Sequence, residues 1–343
     1  MMHSFEQLMA PVWESHIIYD ESVTMVKSSG TIQAPLLFTP GKILSVTSAD
    51  KTKEYRQGID WVCQNGKLCL TEHSSAFFFE EEDLIFDAPK PGKSFPTKDG
   101  KHSLFSEGHF FHDRQLSVTY EKTGEPVDYR PAFVGENLPR TMEKLQNRED
   151  VKVVLYGDSI SEGANCSGNA VTSPFLPTWG SLVAEALRRH YKTKVQLINT
   201  AKGGTDSRWA LENVQQRVAD HDPDLAIIAF GMNDGIEAPE FVANIQAVKE
   251  SILKACPHTE FILCATTLPN PILRGFNAHQ NDFREALEAL KEPGTMIADF
   301  NTMQKFLLKK KRFIDLTGNN VNHPNDFLIR CHAQLLSALL LKK

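Results

Sequence analysis

The spacing of apolar and polar positions changes character near residue 150. Before it, apolar residues come in short bursts broken by Pro35, Pro40–Gly41, Pro89, Pro91–Gly92, Pro96 and Gly100. The bursts predict strands at Ser22–Lys27, Lys42–Thr47, Trp61–Cys63, Lys67–Leu70, Leu84–Phe86, His109–Phe111 and Gln115–Glu121. Asn65-Gly66 separates two of them and is a hairpin signal. Many short strands with frequent turn residues predict a β-sandwich or jelly roll. Tyr129–Pro139 reads as a linker, and about Arg140 to Asn147 as a short helix leading onward.

From Val151 the pattern alternates. Continuous apolar runs predict strands at Val151–Tyr156, Val195–Thr200, Leu225–Phe230, Glu260–Ala265 and Thr295–Asp299. Runs of this kind suit strands covered on both faces. Between them lie predicted helices at Thr178–His190, Ser207–Ala219, Pro239–Ala255 and Asn277–Leu290. Leu182, Val183, Ala186 and Leu187 recur at helical spacing. Pro239 suits the first helical position. A last helix, Asp326–Leu341, carries an apolar face of Leu335, Leu336, Leu339 and Leu340. This βαβα order predicts a three-layer, flavodoxin-like, doubly wound parallel sheet with helices on both faces. At about 100–200 residues per domain, the chain divides into a β-rich accessory domain, residues 1–140, and an α/β domain, residues 141–343.

Charge narrows the function classes. Thirty-seven basic and 43 acidic residues give a net −6, which offers no pull toward nucleic acid or an acidic membrane. The runs Glu80–Asp83 and Lys309–Arg312 read as solvated faces. No stretch reaches the ~20 apolar residues of a membrane span. Met1–Trp13 lacks a basic segment followed by an apolar one, so a cytoplasmic protein is expected. The six cysteines show no zinc spacing and read as reduced thiols. No metal or other cofactor is expected.

The candidate chemistry sits at strand ends. Gly157-Asp158-Ser159 follows the first predicted strand, where open α/β sheets bind ligands. Asn199-Thr-Ala-Lys-Gly-Gly-Thr205 follows the second, and Gly231-Met-Asn-Asp-Gly235 the third. Near the C-terminus lies Thr317-Gly-Asn-Asn-Val-Asn-His-Pro324. Acyl transfer needs a nucleophile, a base and donors for the developing oxyanion. Ser159 can attack and His323 can take its proton. The Ser159 and Gly204 backbone N–H groups and the Asn233 amide can donate.

These four segments, in this order, resemble blocks I, II, III and V of the SGNH (GDSL) hydrolases over about residues 151 to 341. The resemblance implies a serine ester hydrolase with Ser159 and His323 as its catalytic pair and Ser159, Gly204 and Asn233 as its oxyanion hole. One position departs: the family's block V usually reads Asp-x-x-His, and here Asn320 stands three residues before His323. Asn320, a backbone carbonyl, Asp315 or Asp326 are the candidates for orienting the imidazole. A β-rich domain before such a domain resembles carbohydrate esterases of the acetylxylan esterase type. It implies short-chain, acetyl esters on small-molecule or oligosaccharide substrates. A lysophospholipase, thioesterase or general acyl esterase is the alternative on the same machinery, and a carbohydrate-binding protein with a decayed site is the non-enzyme alternative. Oligomeric state stays open.

Other polar residues carry bland readings. Asp158 and Asp234 suit turn or helix-cap hydrogen bonds. His109 and His112 read as ordinary strand histidines, because residues three apart in a strand face opposite sides. Trp179, Arg208, Trp209 and Arg274 are open between lining the substrate pocket and packing. Cys166 lies near Ser159 in sequence without a cysteine–histidine arrangement.

Overall fold

The computed structural model describes residues 3–124, 126–276 and 279–342. Five parallel strands form the sheet of the second region: Val151–Gly157, Val195–Asn199, Leu225–Ala229, Glu260–Ala265 and Thr295–Asp299. Counted along this region, their spatial order is second, first, third, fourth, fifth. The order reverses between the first and third strands, which is where an open α/β sheet leaves a crevice at its carboxyl edge.

Alternation along the first strand explains the layers. Val153 and Leu155 enter one apolar core with Leu182, Val183, Leu335 and Leu336, while Val154 and Tyr156 enter another with Val214, Ile245, Val248 and Phe283. One face is thus covered by helices Trp179–Tyr191, Phe300–Leu308 and Asp326–Leu340, and the other by Ser207–Arg217, Ala238–Ala255 and Gln280–Leu287. Caps set several starts: Asp206, Asp299 and Asn325 accept the backbone N–H of Trp209, Thr302 and Leu328. Pro239 is the second helical residue rather than the first. The expected start at Asn277 lies outside the described residues. Helix Phe300–Leu308 is absent from the elements that the sequence pattern predicts, because it follows its strand with no Gly or Pro between them.

The N-terminal region forms three small sheets. Ile17–Thr24, Gln115–Lys122 and Pro40–Ser48 make one antiparallel sheet. Trp61–Gln64, Lys67–Leu70, Thr31–Pro35, Val26–Ser28 and Phe79–Glu80 make the second. Asn65 and Gly66 turn the hairpin with φ of 51° and 74°, the sign that a two-residue primed turn requires. Ile85–Phe86, His102–Leu104 and Ser94–Pro96 make the third. The strand expected at His109–Phe111 is instead a turn leading into a short 3-10 helix at His112–Arg114. His109 pairs with Asp113 there, and His112 binds the Ser173 carbonyl.

The two regions share one core, since Val23, Val46, Leu68 and Val118 belong to the same apolar cluster as Leu335 and Leu336. Within this contact Lys311 Nζ lies 2.6 Å from Glu21 Oε1, and neither side chain is exposed. Lys311 is therefore an interior residue: Lys309 and Lys310 are exposed, as the charge of the Lys309–Arg312 run suggests, but the run turns inward after them. Arg312 likewise turns inward to Asp315. The third small sheet is tied to the α/β region through Thr97 and Leu273 and through the Arg274 N–H, which donates to the Pro96 carbonyl at 2.9 Å. This tie carries the loop after Leu104 over the carboxyl edge of the sheet.

Candidate active site

The first strand ends at Gly157, where a Cβ would lie 2.5 Å from the Ala229 carbonyl oxygen and 2.4 Å from Ser161 Oγ. Only glycine allows the first and third strands to close so tightly there. Asp158 then caps a four-residue helix, Ser159–Glu162, by accepting the Ile160 N–H at 2.9 Å. Trp179 braces this helix by donating its indole N–H to the Ile160 carbonyl. Ser159 is the first helical residue, and its N–H has no acceptor among the described residues.

His323 arrives from a loop built by its own neighbours. Asn319 Oδ1 accepts the backbone N–H of Val321, Asn322 and His323 at 2.9 to 3.0 Å. The Thr317 hydroxyl and Gly318 N–H both donate to the His323 carbonyl. The ring is thereby aimed: Nε2 lies 2.9 Å from Ser159 Oγ. Its other nitrogen, Nδ1, lies 2.6 Å from Asn165 Oδ1 and 3.3 Å from Glu107 Oε2.

Asn165 cannot be turned around without loss. Its Nδ2 donates to the Gly108 carbonyl at 2.8 Å, so its oxygen must face the ring. An oxygen there requires a proton on Nδ1 and leaves Nε2 free to accept from Ser159. Gly318 permits the approach, because a Cβ there would sit 2.6 Å from the Asn165 Cβ.

None of the expected orienters faces the imidazole. Asn320 donates to the Leu104 carbonyl at 2.9 Å and the Ser103 hydroxyl at 3.1 Å. Asp315 is fully buried, pairs with Arg312 and accepts the Thr24 N–H. Asp326 accepts the Ser167 N–H at 2.7 Å. A carboxylate and an amide from elsewhere, Glu107 and Asn165, occupy the ring's far side instead. No periodicity or strand-end position marks either of them in the sequence.

The loop after the second strand reaches the nucleophile at Gly203, next to the oxyanion candidate Gly204. Gly204 has φ of +75°, is exposed, and its N–H has no acceptor among the described residues. Gly203 lies against the nucleophile: a Cβ on it would sit 3.6 Å from the Ser159 Cβ, and its N–H donates to Glu162 Oε2 at 2.9 Å. Asn233 gives one amide hydrogen to the Thr205 carbonyl at 3.0 Å, which leaves the second for a ligand.

The nearby groups with bland readings behave structurally. Asp234 accepts the N–H and hydroxyl of Ser207, fastening the third loop to the start of helix Ser207–Arg217, which follows the second strand. Burial pushes the Asp158 carboxyl up to about 7, against the Ile160 N–H and the nearby His323 charge. Burial also pushes the Cys166 thiol up to about 11, so it is no thiolate nucleophile at neutral pH. Arg208 pairs with Glu240, and Trp209 packs on Tyr156.

A family model described as GDSL-like lipase/acylhydrolase matches residues 155–327. The chain belongs to this family. An arylesterase of Vibrio mimicus is 30% identical over 105 residues, covering 30% of this chain and 48% of that protein. Among solved structures, a two-domain esterase active on acetylated mannans aligns with a TM-score of 0.50 at 17% identity, over 62% of this chain and 56% of that one. An acetylxylan esterase from Geobacillus stearothermophilus aligns with a TM-score of 0.43 at 16% identity, over 55% of this chain and 94% of that one. The chain spans about half the length of the arylesterase and of the mannan esterase. The GDSL-like match contains Ser159, Asn165, Gly204, Asn233 and His323, whereas Glu107 lies outside it. Among the described residues, no helix is long and apolar enough to cross a membrane.

Proposed function

We propose that this protein is a serine ester hydrolase working through an acyl-enzyme on Ser159. The observation that carries the reading is the chain of contacts from Ser159 Oγ to His323 Nε2, 2.9 Å, and from His323 Nδ1 to Asn165 Oδ1, 2.6 Å. In acylation Ser159 Oγ attacks the ester carbonyl as its proton passes to Nε2. The imidazolium then protonates the departing alcohol. Water repeats the attack on the acyl-enzyme with His323 again as base, releasing the acid and free Ser159. The Ser159 and Gly204 N–H groups and the free Asn233 amide hydrogen would hold the tetrahedral oxyanion. Asn165 keeps the proton on Nδ1 and so maintains the tautomer that acts as base.

The substrate reading is a short-chain, acetyl ester, carried on a neutral sugar. Two carboxylates, Glu107 and Glu162, flank the Ser159–His323 pair. They would repel the phosphates of a lysophospholipid or an acyl-CoA and leave a neutral sugar ester unaffected. The named activity of the mannan esterase agrees with this choice. We take residues 141–343 as the catalytic domain and 1–140 as the accessory one, with a cytoplasmic setting. Hydrolysis of p-nitrophenyl acetate, lost in Ser159→Ala, tests the enzyme reading. Faster turnover of lysophospholipid than of acetylated oligosaccharide would overturn the substrate reading.

A further inference from the structure

The loop after His102–Leu104 lays two groups of the N-terminal region against the imidazole. The Gly108 carbonyl fixes the Asn165 amide. Glu107 sits one residue before it, with Oε2 3.3 Å from His323 Nδ1 and Oε1 accepting the Asn319 Nδ2 at 3.2 Å. Burial acts to raise the Glu107 carboxyl. The hydrogen bond and charge of His323, with the amides of Asn319 and Asn165, outweigh burial and hold it below its ordinary value. Glu107 is thus ionised at neutral pH.

We propose that Glu107 is the charged partner of His323, supplied by the N-terminal region in the role that Asn320 leaves empty. This rests on the Ser159–His323 reading above. When the Ser159 proton moves to Nε2, Nδ1 keeps its own proton and the ring becomes a cation. Glu107 stays deprotonated throughout and stabilises that cation through space, while Asn165 takes the shorter hydrogen bond. Geometry and charge are therefore divided between two residues: the amide selects the tautomer, and the carboxylate supplies the charge. The N-terminal region becomes part of the catalytic machinery and not only a neighbour of it. Other carboxylates face the pair from different elements. Asp158 lies buried beneath the nucleophile, and Glu162 is engaged by the Gly203 N–H. Farther along the loop, Asp113 is matched by His109. None of these three bonds the imidazole.

A unit charge at this separation, half-exposed to water, is worth about tenfold in rate. Glu107→Gln keeps the loop's shape and removes only the charge. On p-nitrophenyl acetate we expect kcat to fall about tenfold with KM little changed. The acidic limb of the kcat/KM profile should move to lower pH, because a nearby carboxylate favours the protonated ring. Glu107→Asp retains the charge and should recover most of kcat and the limb. Two results would overturn the proposal: a Glu107→Gln enzyme with unchanged kcat and pH profile, or a Glu107→Asp enzyme as impaired as Glu107→Gln. Ser159→Ala, run beside them, separates the failures. If it stays active, the esterase reading falls; if it is dead while Glu107→Gln is unchanged, only Glu107's role falls. Matched melting curves confirm that each variant is folded.

Discussion

Asn320 gives its side-chain amide to Leu104, 2.9 Å from that carbonyl oxygen, and so faces away from the histidine three residues later. The backbone at Asn320 is left-handed, φ 64°, a conformation asparagine tolerates better than most residues. Its carbonyl and Oδ1 also accept the Asn270 amide. The position is a knot joining the N-terminal region to the histidine loop.

An aspartate at position 320 would therefore not rebuild a triad. It would press a buried carboxylate against the Leu104 carbonyl. We expect Asn320→Asp and Asn320→Ala each to lose about 1–3 kcal/mol of stability or more, the usual cost of orphaned buried groups. The folded fraction of Asn320→Ala should keep most of its kcat. Urea unfolding beside active-site-titrated kinetics checks both statements.

Much of this architecture is legible in the sequence because it repeats. Buried strands show as apolar runs, and Ser159, Gly204 and Asn233 all follow such runs. The partners of His323 are not legible. Asn165 and Glu107 lie 158 and 216 residues away from it along the chain, in irregular loops where a single polar residue carries no pattern. Lys311 is hidden for a related reason. A lysine inside a basic run looks solvated until its buried partner Glu21, 290 residues distant, is known.

The amide of Asn165 selects the tautomer. Its loss should resemble the documented case in which a wrong tautomer costs ~10⁴ in kcat, moderated here because Glu107 can still accept from Nδ1. We expect Asn165→Ala to lose about 10²–10³-fold in kcat, with His323→Ala losing more. Steady-state rates of the two variants, measured together, test that ranking.

Asn233 is exposed and holds one protein hydrogen bond, so its removal should leave the fold nearly intact. Loss of one oxyanion donor costs about 10²–10³ in rate. Asn233→Ala should show that loss in the acylation rate by stopped flow, with an unchanged melting temperature. An unaltered acylation rate would remove Asn233 from the oxyanion hole.

His332 makes acid stability a separate test. It is fully buried, stacks on Phe300 at 4.3 Å, and neither ring nitrogen has a partner among the described residues. Burial pushes it down to about 3 from an ordinary 6.5. Between those values the unfolded chain takes up a proton that the folded one refuses, so stability falls as pH drops from 6.5 toward 3. The loss is on the order of 5 kcal/mol across the window. His332→Phe should remove this dependence, and the gap between variant and parent should widen as pH falls. Parallel stability curves would contradict it.

Labelling with a fluorophosphonate, followed by peptide mapping, shows whether Ser159 is the nucleophile. We expect one adduct per chain, on Ser159, formed in step with loss of esterase activity and strongly slowed by His323→Ala. Labelling of a different residue, or inactivation that leaves Ser159 unmodified, would contradict it.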